Sequence, residues 1–173
     1  MTRRVFLVGF RFLQRPLLFI AMLAALFTSC QKRGGGPVSP GVIPGDRMPA
    51  FELVTTDDET ASSLSLGWRP SVIVFFNTWC PDCHEVLPII QKWMDEDDTG
   101  TQFLCVARGQ TNDEVASFWE ECGYSMMCAG DPDKMVYNVF TGDNGYGVPV
   151  VYFFNDEGVC IKRILQWDEF ERP

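Results

Sequence analysis

Cys80 and Cys83, spaced C-x-x-C within Trp79-Cys80-Pro81-Asp82-Cys83, are the residues best placed to do chemistry. They follow directly on an apolar run, Val72 to Phe76, and open a stretch of helical periodicity. At such a strand-to-helix junction the first sulfur lies among the unpaired N–H groups of a helix N-terminus, where a thiolate is favoured. The second lies one turn on, within bonding reach. The pair can therefore cycle between dithiol and disulfide, with Cys80 as the expected attacking thiolate and Cys83 as the resolving thiol. Pro81, Asp82 and Glu85 are the expected tuners of their acidity. Asp82 places negative charge between the sulfurs, which makes the dithiol a better reductant and opposes the helix N-terminus.

Other uses of two cysteines fit less well. Zinc wants four ligands, yet there is no second C-x-x-C and one histidine, His84, so no metal is expected. Cys80 to His84 also spells C-x-x-C-H, the attachment motif of c-type haem, and seven methionines offer axial partners. Small c-type cytochromes are helical, whereas this motif is surrounded by strands. The expected centre is a redox-active disulfide without a cofactor.

The elements that must position the pair follow from apolar periodicity. Phe51-Glu52-Leu53 and Ser62 to Leu66 read as short strands around the polar turn Asp57-Asp58-Glu59, and Val72–Phe76 as a buried strand. Leu87, Ile90 and Met94 fall at helical spacing up to the acidic run Asp95–Asp98, and Gln102 to Ala107 is a second apolar strand. Thr111-Asn112-Asp113-Glu114 starts a helix with a capping box. Val115, Phe118, Trp119 and Cys122 share one side of it, and Gly123 stops it. Asp131-Pro132 is a further helix entry, with Met135, Val136, Val139 and Phe140 as the apolar face. Val150–Phe154 and Val159–Leu165 form a hairpin about Asn155-Asp156-Glu157-Gly158.

The ends speak to location. Arg3, Arg4, Arg11 and Arg15 precede an uncharged apolar run, Leu17 to Phe27, too short to span a bilayer and ending at Thr28-Ser29-Cys30. This describes a lipoprotein-type signal peptide over residues 1–29, with Cys30 as the lipidated mature N-terminus. Residues 30–45, rich in glycine and proline, read as a flexible tether, and 46–173 as the domain. Removing the four leader arginines from 14 Lys+Arg leaves 10 against 23 Asp+Glu, a balance that argues against nucleic acid. The expected location is the periplasmic cell envelope on a lipid anchor, and Gln31 after Cys30 leans toward the outer membrane.

From about Arg47 to Leu165 the chain resembles the TlpA/ResA-like family of exported thiol–disulfide oxidoreductases. The resemblance rests on Met48-Pro49-Ala50-Phe51, Phe76-Asn77-Thr78-Trp79-Cys80-Pro81-Asp82-Cys83, Pro88, Tyr146-Gly147-Val148-Pro149 and Asn155-Asp156-Glu157-Gly158. It implies an α/β, thioredoxin-like fold: a mixed β-sheet with helices on both faces and an N-terminal β-hairpin extension. It also implies a cis Pro149 beside the cysteines, with Trp79, Val148 and Pro149 binding the substrate. Substrates would be the thiols and disulfides of exported proteins, with electrons from a membrane donor. Two positions depart from the family: the buried acid six residues before the first cysteine is Val74, and the glutamate three after the second is Val86. A thioredoxin-like module that binds partners without turnover is the alternative. Cys105 and Cys160 read as core residues. Cys122 and Cys128 lie close enough in sequence to bridge but are expected to be free and buried.

Overall fold

The computed structural model describes residues 39–165. The leader (1–29), Cys30, most of the expected tether and residues 166–173 lie outside the described residues. Among the described residues no helix is long and apolar enough to cross a membrane.

In chain order the elements are β1 Glu52–Val54, β2 Thr60–Ser62, α1 Ser63–Leu66, β3 Ser71–Phe76, α2 Pro81–Asp95, β4 Gln102–Arg108 and α3 Asn112–Cys122. There follow β5 Met127–Asp131, α4 Met135–Thr141, a 3-10 turn Gly142–Asn144, β6 Val150–Phe154 and β7 Cys160–Ile164. Five strands form a sheet in the order β5-β4-β3-β6-β7. β3, β4 and β5 run parallel, while β6 and β7 are antiparallel, so the sheet is mixed. β1 and β2 pair as a separate antiparallel hairpin, joined to β5 by a bridge between Thr55 and Ala129.

Alternation along β3 and β4 divides the core by face. Val72, Val74, Phe76, Cys105 and Ala107 pack with Val86, Leu87 and Ile90 of α2 and with Val115 and Trp119 of α3. Ile73, Phe75, Leu104 and Val106 pack on the other face with Val136, Tyr137 and Phe140 of α4. Every residue of β3 is buried, which is why it reads as an unbroken apolar run. With helices on both faces and a hairpin extension, this is a thioredoxin-like fold.

Three local expectations are corrected, and one strand without an apolar pattern is added. Strand β2 ends at Ser62, and Ser63–Leu66 is a helical turn, because the Ser62 and Ser65 hydroxyls close a capping box. Strand β5 carries no alternating pattern; its small residues Ala129 and Gly130 are buried beside β4, and a side chain at Gly130 would stand 2.5 Å from the Gln110 carbonyl. Helix α4 starts at Met135 rather than at Pro132. The Asp131 carboxylate accepts from the Val136 and Tyr137 amides at 3.3 and 2.8 Å. That capping turns Met135 and Val139 outward (69% and 50% exposed), leaving Val136, Tyr137 and Phe140 as the buried face. The expected tether is docked from Ser39 to Gly45: Val42 is buried and its amide donates to the Phe140 carbonyl at 2.7 Å.

Candidate active site

The parallel strands β3, β4 and β5 end on one edge of the sheet, where loops can meet. β3 ends at Phe76, and Asn77-Thr78-Trp79 carries the chain to Cys80, the N-cap of α2. Pro81 occupies the first helical turn, where a missing amide proton costs nothing, and Asp82 lies beside it. The Cys80 carbonyl accepts from the Cys83 and His84 amides at 3.1 and 3.2 Å, so the helix begins on the first cysteine. This fixes Cys83 one turn behind Cys80.

The two thiols, both free, differ in access. Cys80 is 6% exposed, and its Sγ donates to the Val148 carbonyl at 3.3 Å. The Val148–Pro149 bond is cis. The loop before it is held by Tyr137 of α4, whose hydroxyl donates to the Tyr146 carbonyl. The structure thus brings Cys80 and Val148 together; Trp79, next to Cys80 in the chain, is 70% exposed, and Pro149 is buried.

Cys83 is fully buried. Burial pushes its thiol well above the ordinary value. Its hydrogen bond to the Cys80 side chain and the charges of Cys80 and Asp82 push the same way, while the Asn77 backbone amide opposes them. Asp82 comes last among the groups acting on Cys83. Glu85 is exposed and is not among the groups acting on Cys83. Val74 and Val86, both fully buried, belong to the same apolar cluster as Cys83.

Within the C-x-x-C-H stretch both cysteines are buried, Cys80 as the N-cap of α2 and Cys83 inside its first turn. His84 is exposed but engaged: its ring lies 5.3 Å from that of Phe118, and its Nε2 donates to the Thr78 carbonyl. Among the described residues no group of three or more His, Cys, Asp or Glu could hold a metal ion.

Asn77 and Gln110 meet the redox loop without having been singled out from sequence. Both are buried, and Gln110 comes from the loop between β4 and α3. The signal available was position: a polar residue just past the carboxyl end of a central strand. The remaining cysteines stand apart. Cys105 and Cys128 are register partners on β4 and β5, both fully buried, and burial raises both thiols. Cys160 is buried and pushed up to about 11. Cys122 is free but exposed rather than buried, because it ends α3 on the solvent side.

Residues 43–170 match the sequence profile of the Redoxin family. Among solved structures the chain is similar to one from Bacteroides thetaiotaomicron described as a candidate protein disulfide isomerase. That pair has TM-score 0.66 and 22% identity, covering 73% of this chain and 82% of that one. It is also similar to a secreted disulfide oxidoreductase from Mycobacterium tuberculosis, homologous to E. coli DsbE (TM-score 0.59, 19% identity, 67% and 83% covered). A third is the thioredoxin domain of a thiol-disulfide oxidoreductase from Bacteroides vulgatus (TM-score 0.62, 17% identity, 73% and 91% covered). At these identities the likeness is one of fold. None of the curated proteins matches this sequence.

Proposed function

This chain belongs to the Redoxin family, and on that premise we propose that its thiol–disulfide oxidoreductase chemistry runs through Cys80 and Cys83 and reduces disulfides in exported proteins. The observation that supports this most is the division of access. Cys80 meets the surface beside Trp79 and the Val148 carbonyl, while Cys83 waits behind it without exposure.

In the proposed reaction an extended substrate segment pairs with the Val148 backbone and packs on Trp79. Cys80, as thiolate, attacks one sulfur of the substrate disulfide. A Cys80–substrate bond forms, and the other substrate sulfur leaves with the electron pair and takes up a proton. Cys83 then loses its proton and attacks the Cys80 sulfur, releasing the second substrate thiolate. The product is the Cys80–Cys83 disulfide, and two electrons have passed to the substrate. A donor dithiol restores the Cys80–Cys83 dithiol by the same two exchanges and is itself left as a disulfide, by family analogy that of a membrane electron donor.

An envelope location belongs to the same proposal, supported by the basic leader, its short apolar run and Cys30 as a lipid anchor. Gln31 favours the outer membrane. The discriminating experiment uses two variants. Cys83→Ser accumulates a mixed disulfide between Cys80 and its substrate, and Cys80→Ser abolishes insulin reduction. A non-catalytic binding module would instead keep its partners in Cys80→Ser and form no such adduct, and that result refutes the reading.

A further inference from the structure

Thr78, two residues before Cys80, has all of its polar groups taken by side chains from elsewhere in the fold. Its amide donates to Gln110 Oε1 at 2.9 Å, and its Oγ1 accepts from Gln110 Nε2 at 2.8 Å. Its carbonyl accepts from His84 Nε2. Gln110 Oε1 also accepts from Asn77 Nδ2 at 3.3 Å, and the same amide group donates to the Arg108 carbonyl. Gln110 is buried, so the side-chain amide is shielded from competing water. Its own segment is seated in turn: the Gln110 backbone lies against Gly130 of β5 with no room for a side chain between them.

The loop from Asn77 to Trp79 belongs to neither β3 nor α2. Its conformation therefore rests on these contacts rather than on a helical or strand ladder. Trp79 follows directly, then Cys80, whose amide donates back to the Asn77 carbonyl at 3.3 Å. Resting on the function proposed above, we infer that Gln110 and His84 are positioning residues for the redox centre. They grip Thr78 from two sides, one from the β4–α3 loop and one from the first turn of α2. The grip holds Trp79 and the Cys80 sulfur in register with the Val148 carbonyl before substrate arrives. Neither touches the reacting atoms, so both act through Thr78.

The test uses Gln110→Ala, Thr78→Val and Thr78→Ser, with His84→Phe to keep the ring against Phe118 while removing the donor. Three quantities are read for each: kcat/KM for insulin reduction, the rate of Cys80 alkylation by iodoacetamide, and the equilibrium with glutathione. Gln110→Ala and Thr78→Val are expected to lower kcat/KM at least fivefold through kcat, and to change the alkylation rate and the glutathione equilibrium. Thr78→Ser, which retains the hydroxyl, stays within twofold of the parent. The Gln110→Ala/Thr78→Val double variant loses no more than Gln110→Ala alone, since both remove the same contact. Variants that melt lower but keep the parent's alkylation rate and glutathione equilibrium overturn the inference. Alkylation and the equilibrium need no turnover. An inactive parent therefore refutes the proposed function, while these two readouts still decide the role of Gln110.

Discussion

The proton on Cys83 must leave before the mixed disulfide can resolve, and the protein holds that proton tightly. Cys83 is fully buried among Val74, Val86, Leu87 and Ile90, and its thiol is raised first by that burial. An ordinary thiol titrates near pH ~8.5, so a resolution rate limited by it would climb below pH 8 and flatten by about pH 9.5. A thiol held well above that range stays on the steep limb. The resolution rate is then expected to rise about tenfold per pH unit from pH 6 through 9.5 without a plateau. The assay loads Cys80 with thionitrobenzoate and follows chromophore release by stopped flow across this range. Val86→Glu puts a carboxylate one helical turn from Cys83 on the same face, and Val86→Gln supplies the polarity without the proton acceptor. Only the glutamate variant should speed release at pH 7. A parent profile that levels off near pH 8.5 would show that Cys83 ionises like a free thiol, and the reasoning from burial would be wrong.

The same burial sets a stability profile. Cys83, Cys105, Cys128 and Cys160 all have folded thiol values raised above the ordinary thiol value, so the folded state binds their protons more tightly than the unfolded one. Their contribution is complete below that value and is lost as pH rises above it. The slope approaches about 1.4 kcal/mol per pH unit per thiol, or roughly 5.5 kcal/mol for four. Urea unfolding of reduced protein from pH 8 to 10.5 measures it; oxidation of the Cys80–Cys83 pair should remove about a quarter of the slope, and a flat profile contradicts the assignment. In native reduced protein, iodoacetamide should modify Cys122 and Cys80 first, leaving Cys83, Cys105, Cys128 and Cys160 until urea is added, as mapped by mass spectrometry. Gly130→Ala forces a methyl to within 2.5 Å of the Gln110 carbonyl, with an expected cost of about 1–3 kcal/mol in urea unfolding. Insulin reduction should fall with it, in the direction of Gln110→Ala.

The reaction centre was legible because its determinants are local. A buried strand, a C-x-x-C and a helix that starts on the first cysteine occupy one stretch of sequence. The capping box at Thr111 and the left-handed Gly123 that ends α3 were legible for the same reason. Strand β5 was not. Its residues, Met127 to Asp131, include alanine, glycine and aspartate, and pairing with β4 makes it a strand where propensity does not. The start of α4 was displaced because the Asp131 carboxylate caps amides five and six residues on, rather than opening the helix itself. Gln110 was invisible as a partner of Thr78 because 32 residues separate them and only the sheet brings them together. Cys122 shared an apolar pattern with Val115 and Trp119, yet the last turn of α3 turns it to solvent.

The most direct test of the redox assignment is equilibration in glutathione buffers of graded potential, with acid quench, alkylation and mass mapping of Cys80 and Cys83. A single two-electron transition is expected, in which both sulfurs change together. Its midpoint should lie nearer the roughly −270 mV of thioredoxin than the roughly −120 mV of DsbA. A midpoint at the DsbA end would reverse the proposed electron flow, and two thiols that stay reduced across the whole range would contradict the central claim.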